Sequence, residues 1–254
     1  DVELESDGDG TTTMDESSLS ISGGFGKIVL GQNDGAGDNY GFAAQDLIAE
    51  EATGKVASAS ISYNTDIAAM SGDKIKMAYH IPAMGGFTAG ASIQNSGATG
   101  ATDTTEVGAK YVMNAGGNTV TINGASATTE AATTDTDSQS MGITVVSGNL
   151  SFNVGQGTYQ AVDEDHSSQG IAASYKMANG MVLGVYSFKS EDDLDAGEEY
   201  SKSGVEAQYT IASGLTAVIN VDDYDYKAAT TPDSTGTSVV DSGTITSLAI
   251  KASF

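Results

Sequence analysis

Five carboxylates, Asp34, Asp38, Asp46, Glu50 and Glu51, follow Gly31 in one short stretch of this chain. Carboxylates so gathered concentrate cations and repel anions where they line a narrow aqueous passage, and as a charge run they would serve equally to solvate a surface loop. Three further acidic clusters read "DEDH" (163–166), "EDDLDAGEE" (191–199) and "DDYDY" (222–226). Their side chains, among them Asp163, Asp165, Asp192 and Asp193, could share a hard cation such as Ca²⁺, which takes roughly six to eight oxygens. None has the spacing of an EF-hand loop, so any such sites are weak surface ones, and no other cofactor is expected. Enzyme chemistry finds no footing. His166 lies in an acidic cluster and His80 on a polar strand face, and neither stands with a nucleophile, a phosphate-cradling Gly-rich loop or a metal-ligand spacing.

The 254 residues carry 34 Asp and Glu against 10 basic residues, all Lys, for a net charge of −24. Such a surface repels nucleic-acid phosphates, which excludes DNA and RNA as partners. No apolar run reaches the roughly 18–20 residues of a membrane helix. With no Cys there is no disulfide framework. The acidic, Gly-rich opening has no basic start, apolar core or cleavage signal, so any signal peptide is expected to have been removed already.

The elements that must position these groups announce themselves in a repeat. "KMAYHIPAMGG", "GAKYVMNAGG", "AASYKMANG" and "EAQYTIASG" each place a Tyr (Tyr79, Tyr111, Tyr175, Tyr209) ahead of a Gly-containing turn. Reading back from each Tyr, alternate residues form one apolar face: Ile75, Met77 and Tyr79; Val107, Ala109 and Tyr111; Ile171, Ala173 and Tyr175; Val205, Ala207 and Tyr209. The other face is polar or charged, with Lys74, Lys76 and His80; Glu106 and Lys110; Ser174 and Lys176; Glu206 and Gln208. This two-residue period is that of strands with one wet face. The last residues, "ITSLAIKASF", keep it, with Lys251 on the polar face and Phe254 on the apolar one.

Thirteen strands are predicted, at about 16–23, 25–32, 73–82, 87–95, 105–114, 117–125, 139–146, 149–158, 168–177, 180–189, 201–211, 214–226 and 243–254, with no helix of consequence. Short turns alternate with long polar loops. Apolar-out, polar-in strands of about ten residues in that arrangement describe an all-β, antiparallel transmembrane barrel of the outer membrane. Tyr79, Tyr111, Tyr175, Tyr209 and Phe254 would then form an aromatic belt at the short-turn rim, in contact with outer-membrane lipid. A soluble sandwich or solenoid is the alternative fold. A secreted acidic Ca²⁺-binding adhesin or surface-layer protein is the alternative function, and it leaves the strand parity unexplained.

The segment "LSISGGFGKIVLGQNDGAGDNYGFAAQDL" resembles the general diffusion porins of Gram-negative bacteria, in particular the alphaproteobacterial type. The family pattern is a strand (Leu19 to Gly24), a Gly-Phe-Gly turn (Phe25-Gly26), a second strand (Lys27 to Gly31) and a long loop. "KIKMAYHIPAMGGFTAGASI" is similar to the family's hairpin after that loop (Tyr79, Pro82, Gly86, Phe87), and the strand ending on Phe254 resembles the outer-membrane assembly signal. The resemblance implies one porin domain over 1–254, with residues 32–72 folded inward as a constriction loop that carries the five carboxylates. It also implies a homotrimer passing ions and small hydrophilic solutes, and the carboxylates make cation preference the expectation. Lys74, Lys76, Lys110, Lys176 and Lys251 would either oppose the carboxylates in a transverse field or simply hydrate the lumen. Two departures stand out: there is no Arg, and the Gly-Phe-Gly turn would join the fourth and fifth of sixteen strands. Three strands are thus expected to be missing before Asp1, supplied by an N-terminal portion of the same product, because 16–23 and 243–254 would run the same way and could not close antiparallel.

Overall fold

Alternation of side chains becomes a ladder in the computed structural model, which describes residues 2–6, 12–42, 74–94, 103–130, 135–161, 164–192, 198–227 and 240–252. Fourteen strands follow in chain order: β1 (Val2–Ser6), β2 (Thr12–Gly23), β3 (Gly26–Asn33), β4 (Lys74–His80), β5 (Phe87–Gln94), β6 (Asp103–Ala115) and β7 (Asn118–Glu130). The second half comprises β8 (Thr136–Ser147), β9 (Leu150–Ala161), β10 (Glu164–Lys176), β11 (Val182–Asp192), β12 (Glu198–Ala212), β13 (Leu215–Lys227) and β14 (Val240–Ala252). One short helix, α1 (Ala36–Tyr40), follows β3. Every strand pairs antiparallel with its sequence neighbours in a single sheet ordered β1 to β14.

All thirteen expected strands are present, as β2–β14, and β1 precedes them. β2 and β14 run the same way, as expected for 16–23 and 243–254, and the unexpected β1, through its ladder to β2 (Leu4 with Met14, Ser6 with Thr12), puts at the edge a strand antiparallel in direction to β14. Among the described residues no ladder joins β1 to β14. Most strands run further toward the long-loop side than the apolar pattern marks. The added residues are rich in Thr, Ser, Asp and Glu, which pair as strand through their backbones where the side chains carry little parity signal.

The sheet is inside out relative to a water-soluble protein. Leu19, Ile75, Met77, Ile122, Met141, Val154, Ile171, Val185, Ile219 and Leu248 are exposed on one face, Ile75 and Leu248 at 75%. Lys76, Glu106, Asn153, Lys202, Asn220 and Asp222 are buried on the other. A contiguous apolar surface of this extent is stable only against another apolar medium.

The band is tilted with respect to the hydrogen-bond rows. One row of ladder partners passes Ile21, Ile28, Tyr79, Ala91 and Val107, then Ser126, Gln139, Thr158, Ser167, Glu191, Glu199 and Lys227. It meets β2 beside a short turn and β13 at the opposite end. The apolar band follows the short-turn rim instead, which is the stagger that tilted barrel strands require. Short turns are made by glycines with positive φ, among them Gly85, Gly116, Gly148 and Gly214. At Gly26, where φ is +111°, a side chain would also collide with the His80 carbonyl of the adjacent strand, so the Gly-Phe-Gly turn admits no larger residue there.

Candidate functional site: the inner wall and the segment laid on it

After Asn33 the chain leaves the sheet and lies back against its polar face. The sequence "GAGDNY" has little helical tendency, and a five-residue helix is marginal by itself. What holds α1 is the wall. The Ala36 amide donates to Ser92 Oγ (2.9 Å) and the Gly37 amide to Glu106 Oε2 (3.1 Å). Ser92 Oγ donates in turn to the same Glu106 oxygen (2.6 Å). Asn123 Nδ2 donates to the carbonyls of Tyr40 (3.2 Å) and Gly41 (2.5 Å), and the Phe42 amide donates to Ser140 Oγ (3.0 Å). The first turn of α1 thus presents two otherwise unpaired amides to the wall, that of Ala36 to a hydroxyl and that of Gly37 to a buried carboxylate, the second a charge-assisted bond that complements the helix dipole.

Small residues make room for this contact. Gly90 and Gly108 are ladder partners on the inner face, and a Cβ at Gly108 would stand 2.6 Å from Tyr40 Cβ. The Tyr40 phenol reaches His80 Nδ1 (3.0 Å) with the rings 5.7 Å apart. Burial raises the phenol's pKa, so Tyr40 stays neutral and can donate that bond. Beyond it, the Phe42 ring rests on Gly142 and Gly155, adjacent positions on β8 and β9 where any side chain would occupy the ring's place. Phe42, Ala172, Tyr186 and Phe188 form a buried cluster, so the segment reaches from β5 round to β11.

The β11–β13 wall is built differently. Tyr186 donates to Asp222, and Lys202 Nζ lies 5.7 Å from the Tyr186 ring centroid. Asn220 Nδ2 and Gln208 Nε2 donate to Glu206 (3.0 and 2.5 Å), and Tyr226 donates to Glu198 (3.0 Å). This wall presents bulky aromatic and charged groups where β5–β9 present glycine, serine and asparagine.

Of the residues expected from sequence, Asp34 and Asp38 are exposed at the start of this segment, with Asp38 Oδ2 accepting from the Gly35 amide (3.4 Å). Asp46, Glu50 and Glu51 lie outside the described residues. Lys76, Lys110, Lys176 and Lys251 fall on the inner face, Lys76 buried, Lys110 half-buried and the other two exposed; Lys74 takes an inner-face register opposite Asn33. Tyr79, Tyr111, Tyr175 and Tyr209 are all on the outer face near short turns, Tyr79 donating to the Phe25 carbonyl (2.6 Å), and the exposed Phe25 and Phe87 extend that rim. Phe254, Asp163 and Asp193 lie outside the described residues. Asp165 accepts from Gln160 (3.2 Å) and Asp192 stands 3.7 Å from His166 Nδ1. Among the described residues no three metal-ligating side chains converge.

Sequence reasoning did not mark Ser92, Asn123, Ser140, Tyr186, Phe188, Lys202, Asn220 or Asp222 as part of the site. The available signal was glycine within strands: Gly90, Gly108, Gly142 and Gly155 interrupt apolar alternation at inner positions, where such a residue marks a close approach of other chain.

Solved structures with this architecture give the arrangement a context. The anion-selective porin from Comamonas acidovorans matches 100% of this chain and 83% of its own at 17% identity and a TM-score of 0.69. A porin refined at 1.8 Å matches 100% of this chain and 90% of its own at 16% identity and a TM-score of 0.64. The trimer form of OmpT, an outer-membrane protein of Vibrio cholerae, matches 97% and 81% at 15% identity and a TM-score of 0.61. No curated protein sequence matches this chain. At these identities the likeness shows the fold, a porin barrel. The sequence profile of Gram-negative porins extends over residues 1–241, so that profile, a sheet with an apolar outer face and a segment folded onto its polar face agree: the chain belongs to the Gram-negative porin family of outer-membrane channels.

Proposed function

We propose that this chain forms a water-filled channel through which ions and small hydrophilic solutes diffuse, with cations preferred, and that residues 32–72 narrow it. The observation that carries this reading is the docking of α1 on the inner wall through Ser92, Glu106, Asn123 and Ser140. A segment bound there carries Asp34 and Asp38 into the lumen, where a low-dielectric wall strengthens their field. The anion selectivity of the Comamonas acidovorans porin belongs to that protein; this chain has no Arg and a net charge of −24. The trimer form of OmpT supports a homotrimer as the assembly. The Tyr79, Tyr111, Tyr175 and Tyr209 belt would anchor the short-turn rim in lipid, and Ca²⁺ would be held only weakly, at long-loop carboxylates such as Asp165.

The test is the zero-current potential in a planar bilayer with a salt gradient. The native channel should show the sign of cation preference. Replacing Asp34, Asp38 and Asp46 together by Asn should move that potential toward anions, and an unchanged value would put this segment outside the conducting path.

A further inference from the structure

Negative charge is kept away from the short-turn end of the strands. No Asp or Glu occurs in residues 18–31, 75–92, 110–123, 142–155, 172–186, 207–220 or 242–254, the stretches that hold the short turns, the strand ends beside them and the last strand. All 34 acidic residues fall in the sequence before or between those stretches. The basic residues within them are Lys27, Lys76, Lys110, Lys176 and Lys251. Each is on the inner face, since Met77, Tyr111, Tyr175 and Ile250 beside four of them are exposed on the outer side, and Ile28 beside Lys27 shares the outer register of the exposed Ile21 and Tyr79. Lys27 and Lys176 are exposed beside their turns, and Lys110, half-buried, pairs across the ladder with the α1-binding Asn123. The long-loop half of the inner face carries Asp192 and Glu198, with Asp34 and Asp38 exposed on the segment laid against it.

We infer that the short-turn mouth of the channel is a cationic collar, formed chiefly by Lys27, Lys110 and Lys176, in series with an anionic outer vestibule, and that the pore therefore rectifies ionic current. The inference rests on the channel reading above and adds an axial separation of charge to the transverse one considered from sequence. A negatively lined section fills with cations and a positively lined one with anions. When the long-loop side is positive, cations from the vestibule and anions from the collar both move toward the junction and accumulate there, so conductance is high. With the voltage reversed both ions leave the junction, which is depleted, so conductance is low. Salt abolishes the effect as screening shortens from about 30 Å at 0.01 M to about 3 Å at 1 M.

Single-channel currents of the purified native assembly at about 100 mV of either sign, in about 10 mM salt, should differ by at least about 1.5-fold and converge at about 1 M. The triple variant Lys27→Gln, Lys110→Gln, Lys176→Gln should lose the asymmetry and become more cation-selective. A separate Lys176→Cys variant gives an independent handle in a chain with no other Cys. A cationic, membrane-impermeant thiol reagent added from the short-turn side should restore the asymmetry, and an anionic one should reduce it further. Symmetric currents from single native channels in dilute salt would overturn the collar while leaving the channel intact, as would rectification of the opposite sign or asymmetry untouched by the triple variant. Absence of any conductance would overturn the channel reading itself.

Discussion

The inner wall of β5–β9 and that of β11–β13 meet the lumen in opposite ways. The first offers absent or short side chains, Gly90, Ser92, Gly108, Asn123, Ser140, Gly142 and Gly155, and receives a length of main chain. The second projects Tyr186, Phe188, Lys202, Asp222 and Tyr226 into the same interior. Volume left out on one wall is thereby taken up by the docked segment, and on the other by side chains. The difference teaches that an inner wall can be covered by two routes within one sheet. Main chain covers it where glycines permit approach, and side chains cover it where strands carry bulk.

The comparison is tested most severely at Gly155. Valine there would take the place of the Phe42 ring, and overpacking of this kind costs about 1–3 kcal/mol. We expect Gly155→Val to lower the yield of heat-modifiable folded protein and to raise conductance in what folds, because Phe42 leaves its seat. A folded variant with native conductance would show that Phe42 does not need this platform.

Glu106 separates the two walls more finely. It is 1% exposed and accepts from Ser92 and from the Gly37 amide, so Glu106→Gln removes the charge from both bonds while keeping shape. A loss of about 1–2 kcal/mol corresponds to about a 5- to 30-fold rise in the undocked population of α1, read as more frequent spontaneous current fluctuations. Asp222→Asn removes a buried charge from the other wall, where its partner is Tyr186, and should leave those fluctuations unchanged. Equal effects from both variants would erase the distinction between the walls.

The smallest expected effect belongs to Tyr40→Phe. It removes the hydroxyl shared with His80 and leaves the ring packed against Gly90 and Gly108. About 1 kcal/mol or less of docking should be lost, with a fluctuation rate between those of the native protein and of Glu106→Gln.

Much of the fold was legible because each strand's parity was tied to a turn. Tyr79, Tyr111, Tyr175 and Tyr209 fixed register, and every side chain counted back from them falls on the expected face. β1 was not legible, since "VELES" shares its composition with the acidic loop around it and forms strand by pairing with β2. Nor was α1, whose "AGDNY" reads as a turn and becomes helical only through Ser92 and Glu106, distant in sequence. The β11 residues Tyr186 and Phe188 were hidden for another reason. In "VLGVYSFKSED" both faces of the strand carry large apolar groups, so alternation alone does not tell which of them looks inward.

Among the described residues each strand of this sheet bonds only to the strands before and after it in sequence. Such a connectivity makes the hairpin a unit of inheritance as well as of structure. A pair of strands with its short turn can be duplicated or excised without rerouting any other connection, changing the circumference by two strands while preserving antiparallel order. β10–β11 could be lost and β9 would meet β12 in the correct direction. Barrels of different bore are therefore close neighbours in sequence space, and selection for a wider or narrower channel can proceed by whole hairpins as well as by single residues.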